Sequence, residues 1–150
     1  MIDKNTGEVV VESVPIRLGP SFTRSAFQSS PLSNTSHQLI KNEPFCSFLV
    51  APREISGLVF FISLWFFGEQ LEFISLATDD GSNRSWSNWS KEAEIKRKSI
   101  HDRWLASLLG PAPYLYNWGE IMSVYDPKAG DSSIIIRYSW KGKPWTGKSV

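Results

Sequence analysis

The segment Leu58 to Phe67 is apolar except for Ser63, and Gly68-Glu69-Gln70 separates it from a second apolar segment, Leu71 to Ala77, broken only by Glu72 and Ser75. Nothing else in the chain restricts the fold so strongly. At a rise of about 3.3 Å per residue, each arm has the length of a β-strand. Both fall far below the roughly 20 apolar residues that a membrane-crossing helix requires. Successive side chains of a strand point to opposite faces, so an unbroken apolar run is apolar on both. The hairpin is therefore expected in the middle of a sheet, with cover on both sides. Its turn lacks the Asn-Gly pair of the tightest hairpins, which predicts a longer loop or a bulge.

At 150 residues the chain suits one compact domain, residues 1–150, with fraying expected at 1–7 and 141–150. The 16 basic and 15 acidic residues leave a net charge of +1, so no overall field steers the protein onto nucleic acid or an anionic membrane. Seven Trp and nine Phe are many for this length. Most belong in a core, and the rest are candidates for a binding surface. Cys46 is the only cysteine, which excludes an intrachain disulfide, and its neighbours Phe45 and Phe48 predict a buried, inert thiol. Met1 to Glu8 is polar and lacks the apolar core of a secretory signal, so a cytoplasmic location is expected.

Along the chain, Val9-Val10-Val11 before Pro15 predicts a short edge strand. Ser21 is a plausible N-cap for a short helix carrying Phe22, Ala26 and Phe27, which Ser29-Ser30-Pro31 stops. Ser36 to Asn42 reads as a weak strand, Phe45 to Val50 as a firmer one, and Ala51-Pro52-Arg53-Glu54 as a link to the central hairpin. Ser90 has the chemistry of an N-cap, Glu92 and Glu94 place negative charge in a first turn, and Gly110-Pro111 ends the long helix so begun. Ala93, Ile100, Trp104 and Leu108, with Leu105 beside them, form its expected buried stripe. Tyr116 to Tyr125 reads as a strand, Asp126-Pro127-Lys128-Ala129-Gly130 as a turn, and Ile134 to Tyr138 as the last strand. The fold class that follows is α+β: a single antiparallel sheet of about five to six strands packed by one long and one short helix.

Chemistry-bearing patterns are sparse. His37, His101 and Cys46 have no spaced ligand partners, so neither metal nor cofactor is expected. An enzymatic alternative would use His101 with Asp102 or Glu94 on the long helix, and a nucleic-acid alternative would use Lys96, Arg97 and Lys98. Against these stand a hydrogen-bonded packing role for the histidine and a solvated helix face for the cations. Trp86 and Trp89 flank the helix start in a Ser/Asn-rich segment with Asp80 and Arg84 nearby, and Trp118 sits in the late hairpin. Each tryptophan is either a packing staple or a partner anchor.

The late segment Tyr116-Asn117-Trp118-Gly119-Glu120-Ile121, through Ser123-Val124-Tyr125-Asp126-Pro127-Lys128-Ala129-Gly130 to Ser132-Ser133-Ile134-Ile135-Ile136-Arg137-Tyr138, resembles small bacterial immunity proteins of toxin–immunity systems, of the contact-dependent inhibition type. The resemblance covers residues 60 to 140 and contains no catalytic motif. It implies a cytoplasmic protein that binds and occludes a cognate toxin domain. With the balanced charge and the absence of a catalytic constellation in the sequence, the expectation is a non-enzymatic protein with a protein partner and neither nucleic acid nor membrane. It carries over no binding residue, because such surfaces differ from pair to pair. The candidate contact residues Asp80, Arg84, Trp86, Trp89 and Trp118 come from the aromatic excess instead.

Overall fold

The computed structural model describes residues 1–79, 81 and 89–139. In chain order the elements are β1 (Val9–Val11), β2 (Ile16–Leu18), α1 (Arg24–Gln28), a 3-10 turn (Pro31–Thr35), β3 (Ser36–Asn42), β4 (Phe45–Ile55), β5 (Leu58–Phe67), β6 (Gln70–Thr78), α2 (Lys91–Leu109), β7 (Tyr114–Tyr116), β8 (Gly119–Asp126) and β9 (Asp131–Tyr138). A 7-stranded sheet runs in the order β3-β4-β5-β6-β9-β8-β7, every pair antiparallel, and β1-β2 form a separate 2-stranded sheet. The α+β class and the antiparallel pairing agree with the sequence, and the central hairpin β5-β6 is interior. The strand count does not: the single sheet of five to six strands becomes seven plus two.

The extra strands have local causes. The link expected at Ala51-Pro52-Arg53-Glu54 is part of β4, which continues to Ile55, because the register shifts between Val50 and Arg53 and a bulge absorbs the residue without an N–H. The stretch Tyr116–Tyr125, expected to be continuous, folds back at Asn117-Trp118 into β7 and β8. Gly119 makes this possible, since its φ is 151° and a Cβ there would lie 1.9 Å from the carbonyl oxygen of Arg137. A bulge does mark the central hairpin, between Trp65 and Phe66 opposite Leu71 to Phe73.

The core lies on one face of the large sheet. Phe60, Ile62, Leu64 and Phe66 of β5, with Ile74 and Leu76 of β6 and Ile134 and Ile136 of β9, meet Phe27 of α1, Leu32 of the 3-10 turn, Val9 and Val11 of β1, and Trp104 and Leu105 of α2. Each fully buried large apolar side chain contributes roughly 1.5–3 kcal/mol. The N-cap of α1 is Thr23 rather than Ser21, its hydroxyl accepting the Ala26 N–H. Within the first seven residues, Ile2 is buried and bridges to Val9, and the terminal ammonium donates to the Val10 carbonyl and to Glu12. Residues 141–150 lie outside the described residues.

Helix α2 has the expected ends, Ser90 accepting from the Ala93 N–H and Gly110 closing at φ 82°. Its buried face is rotated from the expected one, however. Ala93 and Leu108 are exposed, and the buried residues are Glu94, Arg97, His101, Trp104 and Leu105. Polar groups at the sheet's margin draw polar side chains inward. Glu94 accepts the Ser132 N–H at 2.9 Å and holds Arg97 in a buried ion pair, while its carbonyl accepts the Ser132 hydroxyl at 2.6 Å. A stripe at positions 94, 97, 101 and 104 keeps helical spacing, but half of it is ionised and invisible to an apolar pattern.

Candidate functional site

Strand parity divides the large sheet into two unlike faces. On β5 the even-numbered residues enter the core, and the odd-numbered Val59, Phe61, Ser63, Trp65 and Phe67 stand on the opposite side. Register carries that side across the sheet. One row runs Ile40, Ser47, Trp65, Phe73, Arg137, Glu120 and Leu115 from edge to edge, and a second runs His37, Leu49, Ser63, Ser75, Ile135 and Met122. Both helices, the 3-10 turn and the β1-β2 hairpin pack on the core face. No described helix or strand covers the other. The expectation of cover on both sides is thus met on one side by the described residues.

This second face is aromatic at its centre, where Phe73 and Arg137 are buried, and apolar at its exposed rim. Trp65 stacks on Phe73 at 5.1 Å, and the Arg137 guanidinium lies 4.8 Å over the other ring position of that pair, Phe73. Phe45 meets Phe67 edge-on at 5.1 Å. Burial pulls the Arg137 guanidinium below its ordinary range, while the carboxylates of Glu72 and Glu120 oppose that shift and keep the charge on the face. Among the exposed large apolar residues, Ile40 (39%), Phe45 (36%), Val59 (39%) and Leu115 (67%) border this same face. A recess of about 200 Å³ opens between Ile40, Phe45, Trp65, Glu72 and Phe73. The Trp65 indole N–H, buried there, meets no acceptor among the described residues.

The residues singled out from sequence fare differently. Asp80, Arg84 and Trp86 lie outside the described residues. Trp89 is 42% exposed and donates its indole N–H to the Gly130 carbonyl at 2.5 Å, tying the start of α2 to the β8-β9 turn. Trp118 donates to the Lys4 carbonyl at 2.9 Å, stacks on Tyr116 at 5.0 Å and lies against Gly7, where a Cβ would come within 2.5 Å of its ring. Trp118 therefore staples the N-terminal segment to the β7-β8 turn. The structure does not bring Trp89 and Trp118 together with the aromatic sheet face.

His101 has no exposed surface, and its Nε2 accepts the Thr78 N–H at 3.2 Å, with the Thr78 hydroxyl at the same distance. That bond leaves the ring proton on Nδ1 and makes the imidazole a bridge between α2 and β6. A ring sealed in this way reaches no substrate. The cations do not form one patch either: Arg97 is buried against Glu94, Lys98 bonds Asp102 at 3.0 Å, and Lys96 faces solvent. Among the described residues, no three of His, Cys, Asp and Glu gather as a metal site, and no helix is long and apolar enough to cross a membrane. Cys46 is buried, and burial raises its thiol above the ordinary range, against the lowering influence of Arg24.

The sequence reading missed Phe45, Phe61, Trp65 and Phe67 as surface candidates. A signal for them was present in the parity of the run: Ser63 and Ser75 sit directly opposite each other, and both belong to the odd set. Small polar residues at one phase of two apolar strands mark the face with less to bury. No protein-family model matches the chain, no curated protein matches it, and no solved structure matches it.

Proposed function

We propose that this chain is a non-enzymatic protein-binding protein whose aromatic sheet face docks on another protein. The observation that carries this reading is the apolar rim of that face, Ile40, Phe45 and Val59, which is exposed beside the recess that Trp65 lines. Seven strands at about 4.8 Å spacing span roughly 29 Å, and eight residues of strand add about 26 Å in the other direction. That area is of the order of the 800 Å² each partner contributes to a stable protein interface. Exposed Phe45, with the Trp65 ring beside it in the recess, supplies the aromatic residue type that such interfaces favour. The resemblance to immunity proteins supplies the partner: a toxin domain, neutralised by occlusion of its active site.

The test is direct binding to the product of the neighbouring gene, followed by protection of cells expressing it. Ile40→Ser, Phe45→Ser and Val59→Ser change the rim of the face without entering the core. Each is expected to weaken binding about tenfold or more, the range of interface anchors. Failure to bind or protect against any neighbouring product removes the toxin reading. Tight binding that none of the three variants alters removes the sheet face from the interface.

A further inference from the structure

One margin of the large sheet is unfinished. Strand β7 pairs only with Gly119 to Ile121 of β8, whereas β9 pairs with β8 from Gly119 to Asp126. Beyond Ile121, therefore, β8 has a strand on one side only among the described residues. The phase of the ladder follows from Ser139, whose N–H donates to the Trp118 carbonyl at 2.8 Å. Antiparallel pairs alternate between bonded and non-bonded. Glu120, Met122 and Val124 accordingly bond toward β9, and Gly119, Ile121, Ser123 and Tyr125 direct their main-chain groups the other way. The first two of these meet β7. Among the described residues, Ser123 and Tyr125 have no strand across from them.

Alongside lies a cavity of about 560 Å³, walled by Leu105 and Ala106 of α2, Tyr114 of β7, and Ile121, Met122 and Val124 of β8. The Lys98–Asp102 pair also lines it. The opposite margin of the sheet is blunted, since β3 carries a register shift between Gln38 and Ile40 and an exposed Lys41. Met122-Ser123-Val124-Tyr125 has no charge, no proline and no bulge. Strand β8 itself thus carries no device against a second strand, and the groups facing its edge across the cavity are the Lys98–Asp102 pair and the Ala112-Pro113 linker.

We propose that the β8 edge and this cavity form a binding site for an extended peptide, which continues the line of β7 and places alternate apolar side chains against Leu105, Ala106 and Ile121. The occupant is specified by the main chain: N–H and C=O groups recurring at every second residue are matched along their length only by another extended polypeptide. Strand β7 already fills the first part of the same edge. The site borders the sheet face at Met122 but uses the β8 edge rather than the Ile40–Phe45–Val59 rim, so each can fail without the other.

A capped peptide of alternating threonine and valine, with a lysine at each end, serves as the probe, read by amide chemical shifts and hydrogen exchange. In the free protein the Ser123 and Tyr125 amides are expected to exchange at least about tenfold faster than those of Met122 and Val124. Saturating peptide slows Ser123 and Tyr125 about tenfold or more, and the same peptide N-methylated at its valines binds about tenfold more weakly. Ala106→Trp, at an exposed helix position, fills the cavity and abolishes binding with an unchanged urea midpoint. Protection of Ser123 and Tyr125 without peptide overturns the proposal. So do shifts confined to Gln38–Ile40 or to the aromatic face, equal binding of the N-methylated peptide, and no binding at all.

Discussion

Tyr138 shows what a single polar atom does in this structure. Its hydroxyl donates to the Gly7 carbonyl at 2.7 Å from within the core, and burial pushes its ionisation well above the ordinary tyrosine range. The folded state therefore keeps a proton that the unfolded chain gives up near pH 10, the ordinary tyrosine value. Stability from this group is complete below that pH and falls as the pH rises above it. Tyr138→Phe is expected to cost about 1 kcal/mol at neutral pH, for the lost hydrogen bond. It should also flatten the alkaline decline. Urea unfolding of both proteins from pH 7 to pH 11 reads both effects, and parallel declines would show that Tyr138 does not set the alkaline limit. His101 teaches the same lesson in another form: its residue type suggested chemistry, and its bond to Thr78 assigns it to cohesion.

At the scale of the element, α2 is held to the sheet by charge as well as by rings. The Glu94–Arg97 pair is buried at one end, and Trp104 packs on Phe60 at 4.7 Å toward the other, donating its indole N–H to the Ser56 carbonyl. Removing one partner of a buried ion pair strands the other charge. Arg97→Met is expected to destabilise the fold by about 3 kcal/mol. The double variant Glu94→Gln with Arg97→Met should lose less, because a neutral amide needs no counter-charge and its oxygen still accepts the Ser132 N–H. Urea midpoints of the wild type, both single variants and the double variant measure the coupling, and additive losses would refute it. The ends of this helix were legible in sequence because capping is local: Ser90, Glu92 and Gly110 act within a turn of themselves. Its buried face was not legible, since the polar groups that receive Glu94 and His101 belong to β9 and β6.

For the molecule as a whole, the consequence is a sheet with one deep face and one shallow one. Ile62→Ala, on the core side of β5, is expected to cost about 2–5 kcal/mol, whereas Val59→Ala on the other side should stay within about 0.5–1 kcal/mol. Denaturant unfolding compares them, and a loss at Val59 equal to that at Ile62 would contradict the division of faces. The proposed docking of a partner depends on this asymmetry. Its exposed rim, Ile40, Phe45 and Val59, contributes less to folding than the core face and is the part offered to a partner.

The amino-acid pattern alone determined the antiparallel α+β class, the interior place of the central hairpin, the caps of α2 and the burial of Cys46. Each rests on spacing along the chain, or on groups too apolar to remain in water. Tertiary structure decided the rest: that Trp118 is a staple, that Arg97 is buried, and that Phe61 and Trp65 stand on the less covered side of β5. The reason is physical. An apolar run in a strand has two equivalent phases, and only the packing of distant elements (α1, α2 and the β1-β2 hairpin) on one of them distinguishes core from surface.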